Sequence, residues 1–247
     1  MTQTHTRNDL FAQMGPKTPR PGLHPKTAAQ IDGLHVAPDR PLLICDADEV
    51  LLIFLQTLER FLVREGYELR LDDYRLTGNI RHGRTGVPVE AAGVTDLITR
   101  FFELETPNIP AVEGAARALE EAARDMQVVV LTNLPHAHRE ARTSALSALG
   151  MPYPVLTNSG PKGAAVAALA ERAGAAPSIF VDDTPAHLAA AREHAPHVHR
   201  LHFVADDRLK RFLGDPEEAH SHATRWDRAS EIIRRALDEA HETRDRR

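Results

Sequence analysis

Four short stretches of this sequence end an apolar run in residues able to do chemistry. Residues 42–52 read LLICDADEVLL, which sets Asp46, Asp48 and Glu49 directly behind a strand-like hydrophobic run. Residues 127–133, QVVVLTN, close on Thr132 and Asn133, and residues 178–184, SIFVDDT, close on Asp182, Asp183 and Thr184. Residues 158–163, NSGPKG, place Lys162 just ahead of a helical pattern. Carboxylates at the end of a buried strand are costly to desolvate unless a cation meets them. Asp46 and Asp48 are two apart, so on a regular strand they face the same way, about 7 Å from each other. Two carboxylates at about 4 Å repel by about 4 kcal/mol at an effective dielectric of about 20, and Asp182 with Asp183 adds to the excess. Lys162 supplies one fixed positive charge. A few oxygen ligands with room left for water are what Mg2+ prefers, so the pattern predicts a magnesium site.

These residues can meet only if the elements bearing them form one sheet. From residue 41 onward, strand-like runs at 41–46, 127–132, 153–157, 178–182 and 197–204 alternate with helical patterns near 136–149, 162–173 and 185–194. Such alternation predicts an α/β fold: a Rossmann-like parallel sheet with helices on both faces. In a parallel sheet the strand C-termini share one edge, where ligands bind. The interval from 46 to 127 far exceeds a single crossover. Helices are expected at 52–65 and 111–124, and between them lies an insertion over 67–108. It contains YRLTGNIRHGRTGVP and a second apolar helix near 92–104, and a segment of this length predicts a small helical cap after the first strand. The expected organisation is a mobile arm over 1–40 with a short helix at 27–32, a core over 41–66 and 109–204, the cap over 67–108, and a helical extension over 205–247 broken near Gly214–Pro216. No internal repeat is present.

Composition narrows the function classes. A net charge of −5 and a pI of 6.3 give no basis for nucleic acid or an anionic membrane as the main partner. No apolar run is long enough to span a bilayer. The single cysteine, Cys45, excludes an internal disulfide framework and fits a reducing compartment. The N-terminus lacks the pattern of a signal peptide, and the protein is expected to be cytoplasmic. Among 30 basic residues only Lys17, Lys26, Lys162 and Lys210 are lysines, so the 41–204 region carries a single ammonium.

The ordered set DAD, a strand ending in Thr, then Lys, then a strand ending in DD resembles the haloacid dehalogenase superfamily of phosphohydrolases over roughly residues 41–204. PAVEGAARALEEAARDMQVVVLTN and SIFVDDTPAHLAAAR resemble it beyond the motif letters. The resemblance implies that Asp46 is a nucleophile forming an aspartyl-phosphate. It implies that Asp48 is the acid/base, that Thr132 donates to a phosphoryl oxygen, and that Lys162 neutralises charge. Asp46, Asp48 (through its main-chain carbonyl), Asp182 and Asp183 would hold Mg2+. The substrate implied is a small phosphorylated metabolite.

One position departs from that pattern. Relatives usually carry Gly after the second Asp, and this chain has Glu49, so the turn there is expected to differ. Thr132 and Asn133 also suit a turn or helix cap, and Asp182–Asp183 suits the N-terminus of the next helix. Arg81, His82 and Arg84 form a basic loop in the insertion that is either a solvated surface or a clamp on an anionic part of the substrate. The histidines at 197, 199 and 202 lack a Cys or acid at ligand spacing and do not predict a zinc site. Cys45, Phe54 and Phe61 are expected to be core. The leading reading is a Mg2+-dependent phosphatase. A phosphomutase of the same fold remains open, as does a catalytically weak binding or regulatory relative. A dehalogenase lacks the acid Asp48 supplies, a phosphonate hydrolase needs a lysine that 67–108 does not contain, and a receiver domain uses the reverse order of acids. The sequence does not decide the oligomeric state.

Overall fold

The computed structural model describes residues 22–245. Six strands, β1 (Leu42–Cys45), β4 (Gln127–Thr132), β5 (Val155–Thr157), β6 (Ser178–Asp182), β7 (His199–Phe203) and β8 (Ser221–Ala223), form one parallel sheet in the order β5-β4-β1-β6-β7-β8. β1 lies at the centre, with Cys45 opposite Val130 on one side and Val181 on the other. The C-terminal ends of β1, β4 and β6, which bear the acids and the hydroxyl, therefore open on the same edge.

Alternation along the strands separates two cores. Leu42, Ile44, Val129, Leu131 and Phe180 point to one face, covered by α1 (Pro25–Asp32), α6 (Gly163–Ala173) and α7 (Pro185–His194). Leu43, Cys45, Val128, Val130 and Val181 point to the other. There they meet α4 (Ala115–Ala122), α5 (Arg139–Ala148) and α9 (Trp226–Asp245), with Trp226 fully buried and its indole N–H donating to the Val50 carbonyl at 2.9 Å. Both faces are apolar because helices cover both, as expected of a parallel sheet.

Between β1 and β4 the chain makes a long excursion. The chain leaves the core at Ile53, whose N–H donates to the Pro110 carbonyl at 2.9 Å, and the Leu52–Ala111 bridge closes the neck. α2 (Phe54–Arg64) packs on the antiparallel ribbon β2 (Tyr67–Leu69) and β3 (Ile80–His82) and on α3 (Ala91–Glu105). The apolar stripe of α2 meets α3, with Phe54 and Phe61 edge-to-face with Phe101 at 5.1 and 5.5 Å, while Leu55 packs with Val204, Leu209 and Leu213. The β2–β3 ribbon is too short to leave a period-2 signal in the sequence.

Residues 1–21 of the expected arm lie outside the described residues, but α1 docks on the core: Thr27 and Ile31 are buried, and Thr27 Oγ1 donates to the Thr157 carbonyl at 2.9 Å. The 205–247 segment is not solely helical. Between α8 (Asp207–Leu213) and α9 it supplies β8, the sixth strand, whose residues Ser221, His222 and Ala223 lack an apolar run.

α6 and α7 approach closely at Gly163, the first residue of α6, where a Cβ would land against the backbone carbonyl of Ala190 with no space to move. Gly163→Ala is expected to lower stability by about 1–3 kcal/mol, as overpacking does, read as a fall in the urea midpoint at unchanged slope.

Candidate active site

Asp46 follows the last residue of β1, and its N–H still donates to the Val181 carbonyl at 2.9 Å, so it is registered against the end of β6. Lys162, at the N-cap of α6, enters from the α6–α7 face and is completely buried. Its Nζ lies 2.7 Å from Asp46 Oδ1 and 2.8 Å from Asp182 Oδ2. Carboxylate oxygens of Asp46, Asp182 and Asp183 lie within 4.8 Å of one another, and all three residues are buried. Residues drawn from three segments of the chain thus converge on one point.

The charges there do not balance. Three buried carboxylates face one ammonium. Burial, only partly offset by Lys162 and reinforced by Asp182 and Asp48, pushes Asp46 up to about 8. Burial also raises Asp182, and burial together with the charges of Asp182 and Asp46 raises Asp183 well above the ordinary carboxylate range. Burial alone would lower Lys162, but Asp182 and Asp46 outweigh it and hold the ammonium above its ordinary value. A divalent cation would cancel the excess that Lys162 leaves, and the all-oxygen donor set fits a hard ion.

The surrounding bonds fix this cluster. Asp182 Oδ1 accepts from the Thr184 N–H at 2.9 Å, and Asp183 Oδ1 accepts from Thr184 Oγ1 at 3.1 Å. Tyr74, from the β2–β3 loop of the inserted unit, donates its hydroxyl to Asp183 Oδ2 at 3.2 Å. The Asp183 carbonyl bonds the buried His202 ring at 2.9 Å. Thr132 is fully buried at the end of β4, with its Oγ1 accepting from the Leu134 N–H at 3.1 Å. Asn133 turns toward the Lys162 loop: its Nδ2 donates to the Gly160 carbonyl, and its Oδ1 accepts from Asn158 Nδ2, each at 3.0 Å. The structure gives Asn133 the position of a brace between β4 and that loop.

Asp48 has a partner that the sequence did not reveal. Arg142, on α5 and fully buried, brings Nη1 to 2.6 Å from Asp48 Oδ1. Its Nε and Nη2 are buried and have no hydrogen-bond partner among the described residues. In the sequence Arg142 is one arginine among many on a polar-looking helix, and no local pattern sets it apart. Tyr74 and His202 were likewise invisible as site neighbours, since each arrives from a distant element. Arg81 and Arg84 are not drawn into the cluster. Arg81 donates to the Gly86 carbonyl at 3.2 Å and lies 3.5 Å from Asp72, and Arg84 is exposed in the turn at the end of the ribbon away from Tyr74.

Glu49 adopts φ of 61°, the left-handed conformation that glycine takes freely. Holding a non-glycine residue there costs about 1–2 kcal/mol. The side chain offsets that cost by accepting from the Leu55 N–H in the first turn of α2. Burial outweighs this bond and raises the Glu49 carboxyl to about 8.

No family model matches this sequence, and no curated protein matches it. Solved structures do. A haloacid dehalogenase-like protein of Agrobacterium tumefaciens superposes with a TM-score of 0.55 at 15% identity, over 80% of this chain and 98% of that one. A HAD family hydrolase of Deinococcus radiodurans, with phosphate and sodium bound, gives 0.54 at 19% identity over 81% and 97%. A Bacillus subtilis protein assigned as a HAD-hydrolase, with magnesium bound, gives 0.53 at 12% identity over 79% and 99%. The chain has the haloacid dehalogenase-like fold.

The role of Glu49 separates in two variants. Glu49→Ala, which keeps the strained turn and loses the helix-capping acceptor, is expected to cost about 1–2 kcal/mol. Glu49→Gly, which also relieves the turn, is expected to be more stable than Glu49→Ala by about 1 kcal/mol. Urea denaturation of the two side by side checks the order.

Proposed function

We propose that this protein is a Mg2+-dependent phosphohydrolase that acts on a small phosphorylated metabolite through an aspartyl-phosphate at Asp46. The observation that carries the reading is the buried Asp46–Lys162–Asp182 contact, at 2.7 and 2.8 Å, with Asp183 alongside. Such a site concentrates negative charge, meets it with one ammonium, and leaves the rest for a divalent ion. Phosphoryl transfer depends mainly on positioning and on neutralising oxygen charge. The haloacid dehalogenase-like fold and the phosphate-bound and magnesium-bound structures that share it support the same reading.

In this reading a carboxylate oxygen of Asp46 attacks phosphorus while Lys162 holds the same carboxylate in place and screens it from Asp182. Asp46, Asp182 and Asp183 would hold the magnesium, with the main-chain carbonyl of Asp48, and the bound ion would neutralise phosphoryl charge. Asp48 protonates the departing oxygen and then takes a proton from the water that hydrolyses the intermediate. Arg142 orients Asp48, and its Nε and Nη2 are buried with no hydrogen-bond partner among the described residues. Thr132 is available to a phosphoryl oxygen. A phosphomutase would use the same two aspartates and differ by excluding water.

Three measurements test this. Hydrolysis of p-nitrophenyl phosphate or of a phosphorylated-metabolite panel is expected to require Mg2+ and to be abolished in Asp46→Asn, and absence of Mg2+-dependent turnover on any of them would overturn the reading. Arg142→Met is expected to lose about 3–5 kcal/mol, since it strands Asp48 as a buried charge, and to lower kcat about 10²-fold or more. The pH dependence has a definite sign. Because Asp46 and Glu49 titrate near 8 when folded, against 3.8 and 4.5 ordinarily, the folded chain retains protons that the unfolded chain releases. Stability in EDTA is therefore expected to fall as pH rises from about 4 to 8 and then level. Mg2+ must displace the Asp46 proton, so its stabilisation is expected to grow from pH 6 to 8, and calorimetry in buffers of different ionisation enthalpy is expected to detect the released proton.

A further inference from the structure

A second group of ligating side chains stands one strand beyond the acidic cluster. β6, β7 and β8 run parallel, and Asp182, His202 and His222 occupy one register row across them. In-register residues of neighbouring strands present side chains to the same face, and the two imidazoles meet there edge to face at 5.7 Å between ring centroids. The loop between α8 and β8 closes the third side. Gly214, at φ of 60°, ends α8 and turns the chain so that Asp215 faces β8. One nitrogen from each of His202 and His222 and one oxygen of Asp215 lie within 4.8 Å of one another, and His222 Nδ1 is 3.6 Å from Asp215 Oδ1.

His202 is already committed in the way a metal ligand requires. Its Nε2 bonds the Asp183 main-chain carbonyl at 2.9 Å. A carbonyl only accepts, so Nε2 carries the hydrogen and Nδ1 keeps its lone pair for a ligand. An imidazole held by a backbone acceptor through its far nitrogen is the usual outer-shell arrangement of metal-bound histidine. Two imidazoles and a carboxylate, with bonds of about 2.0–2.2 Å, match the ligand chemistry of a tetrahedral zinc site with three protein ligands and one open position. Such bonds place the donor atoms roughly 3.4 Å apart, and the exposed side chains of Asp215 and His222 have the freedom to close that far. The cleft around them is also lined by Lys210, Arg225 and Arg228, but each arginine is tied to its own carboxylate, Asp227 and Glu231 respectively.

We propose that His202, His222 and Asp215 form a second divalent-metal site, for Zn2+ or a metal of similar preference, with the fourth position open to solvent. An ion there joins β7, β8 and the turn after α8. Through the His202–Asp183 bond it also steadies the main chain of an acidic residue in the Asp46 cluster. Local spacing of the histidines does not reveal this set, because Asp215 and His222 arrive from separate segments; His199 instead bonds Ser221 Oγ at 2.8 Å and stacks on His220.

The test is calorimetric titration of the full chain with ZnCl2 in excess Mg2+, which occupies hard-oxygen sites, together with visible spectra of the Co2+-loaded protein. One ion bound per chain is expected, with a raised Tm and absorption bands of four- or five-coordinate cobalt. The double variant Asp215→Ala/His222→Ala alters exposed side chains only and is expected to melt like the parent in EDTA. It is also expected to lose the bound equivalent, the Zn2+-dependent rise in Tm and the cobalt bands. Unchanged Zn2+ uptake by this variant would overturn the site, as would absence of uptake by the parent, or loss of uptake in Asp182→Asn with retention in Asp215→Ala/His222→Ala.

Discussion

One ammonium group, Lys162 Nζ, sits between two buried carboxylates, and much of the molecule is arranged around making that possible. Asp46 and Asp182 end adjacent parallel strands, so their separation is set by the sheet and cannot relax. Repulsion between them is then a fixed cost that a cation on the same face must offset. Lys162 reaches them because α6 starts where it does, and α6 lies close to α7 only because Gly163 has no side chain. Asn133 and Asn158 brace the loop that carries the lysine. The compensation is incomplete by design of the donor set: three acids face one base, and the remainder is chemistry a bound divalent ion can use.

The inserted unit is joined to this cluster at two places. Glu49, in a left-handed turn four residues before the neck at Ile53, accepts from the first turn of α2. Tyr74 returns from the β2–β3 loop to Asp183. The insertion therefore touches an acidic residue of the site directly, not through the sheet. Phe54, Phe61, Phe101 and Phe102 are buried together where α2 meets α3.

The outer strands extend the same logic. β8 adds little apolar area, yet it sets His222 beside His202, and His202 holds the carbonyl of Asp183. The sheet edge that looks peripheral in sequence is one hydrogen bond from the acidic centre.

What the sequence alone determined follows from periodicity and order. Continuous apolar runs ending in DAD, TN and DD, separated by helical patterns, are enough to define β1, β4 and β6, their parallel arrangement, and the meeting of Asp46, Lys162, Asp182 and Asp183 at one edge. β4, β6 and α7 fall where the pattern sets them. Local pattern cannot reveal a partnership made by packing between distant elements. Arg142 is one arginine among many until α5 docks and buries it against Asp48, and Tyr74 is a loop residue until the insertion folds back. β8 is three residues without an apolar run, and it becomes a strand only because β7 offers it a free edge. The Glu49 turn shows the same division: side-chain type argued against a left-handed backbone, and the tertiary structure imposed it, because the chain must leave β1 sharply and the carboxylate finds the N-terminus of α2 when it does.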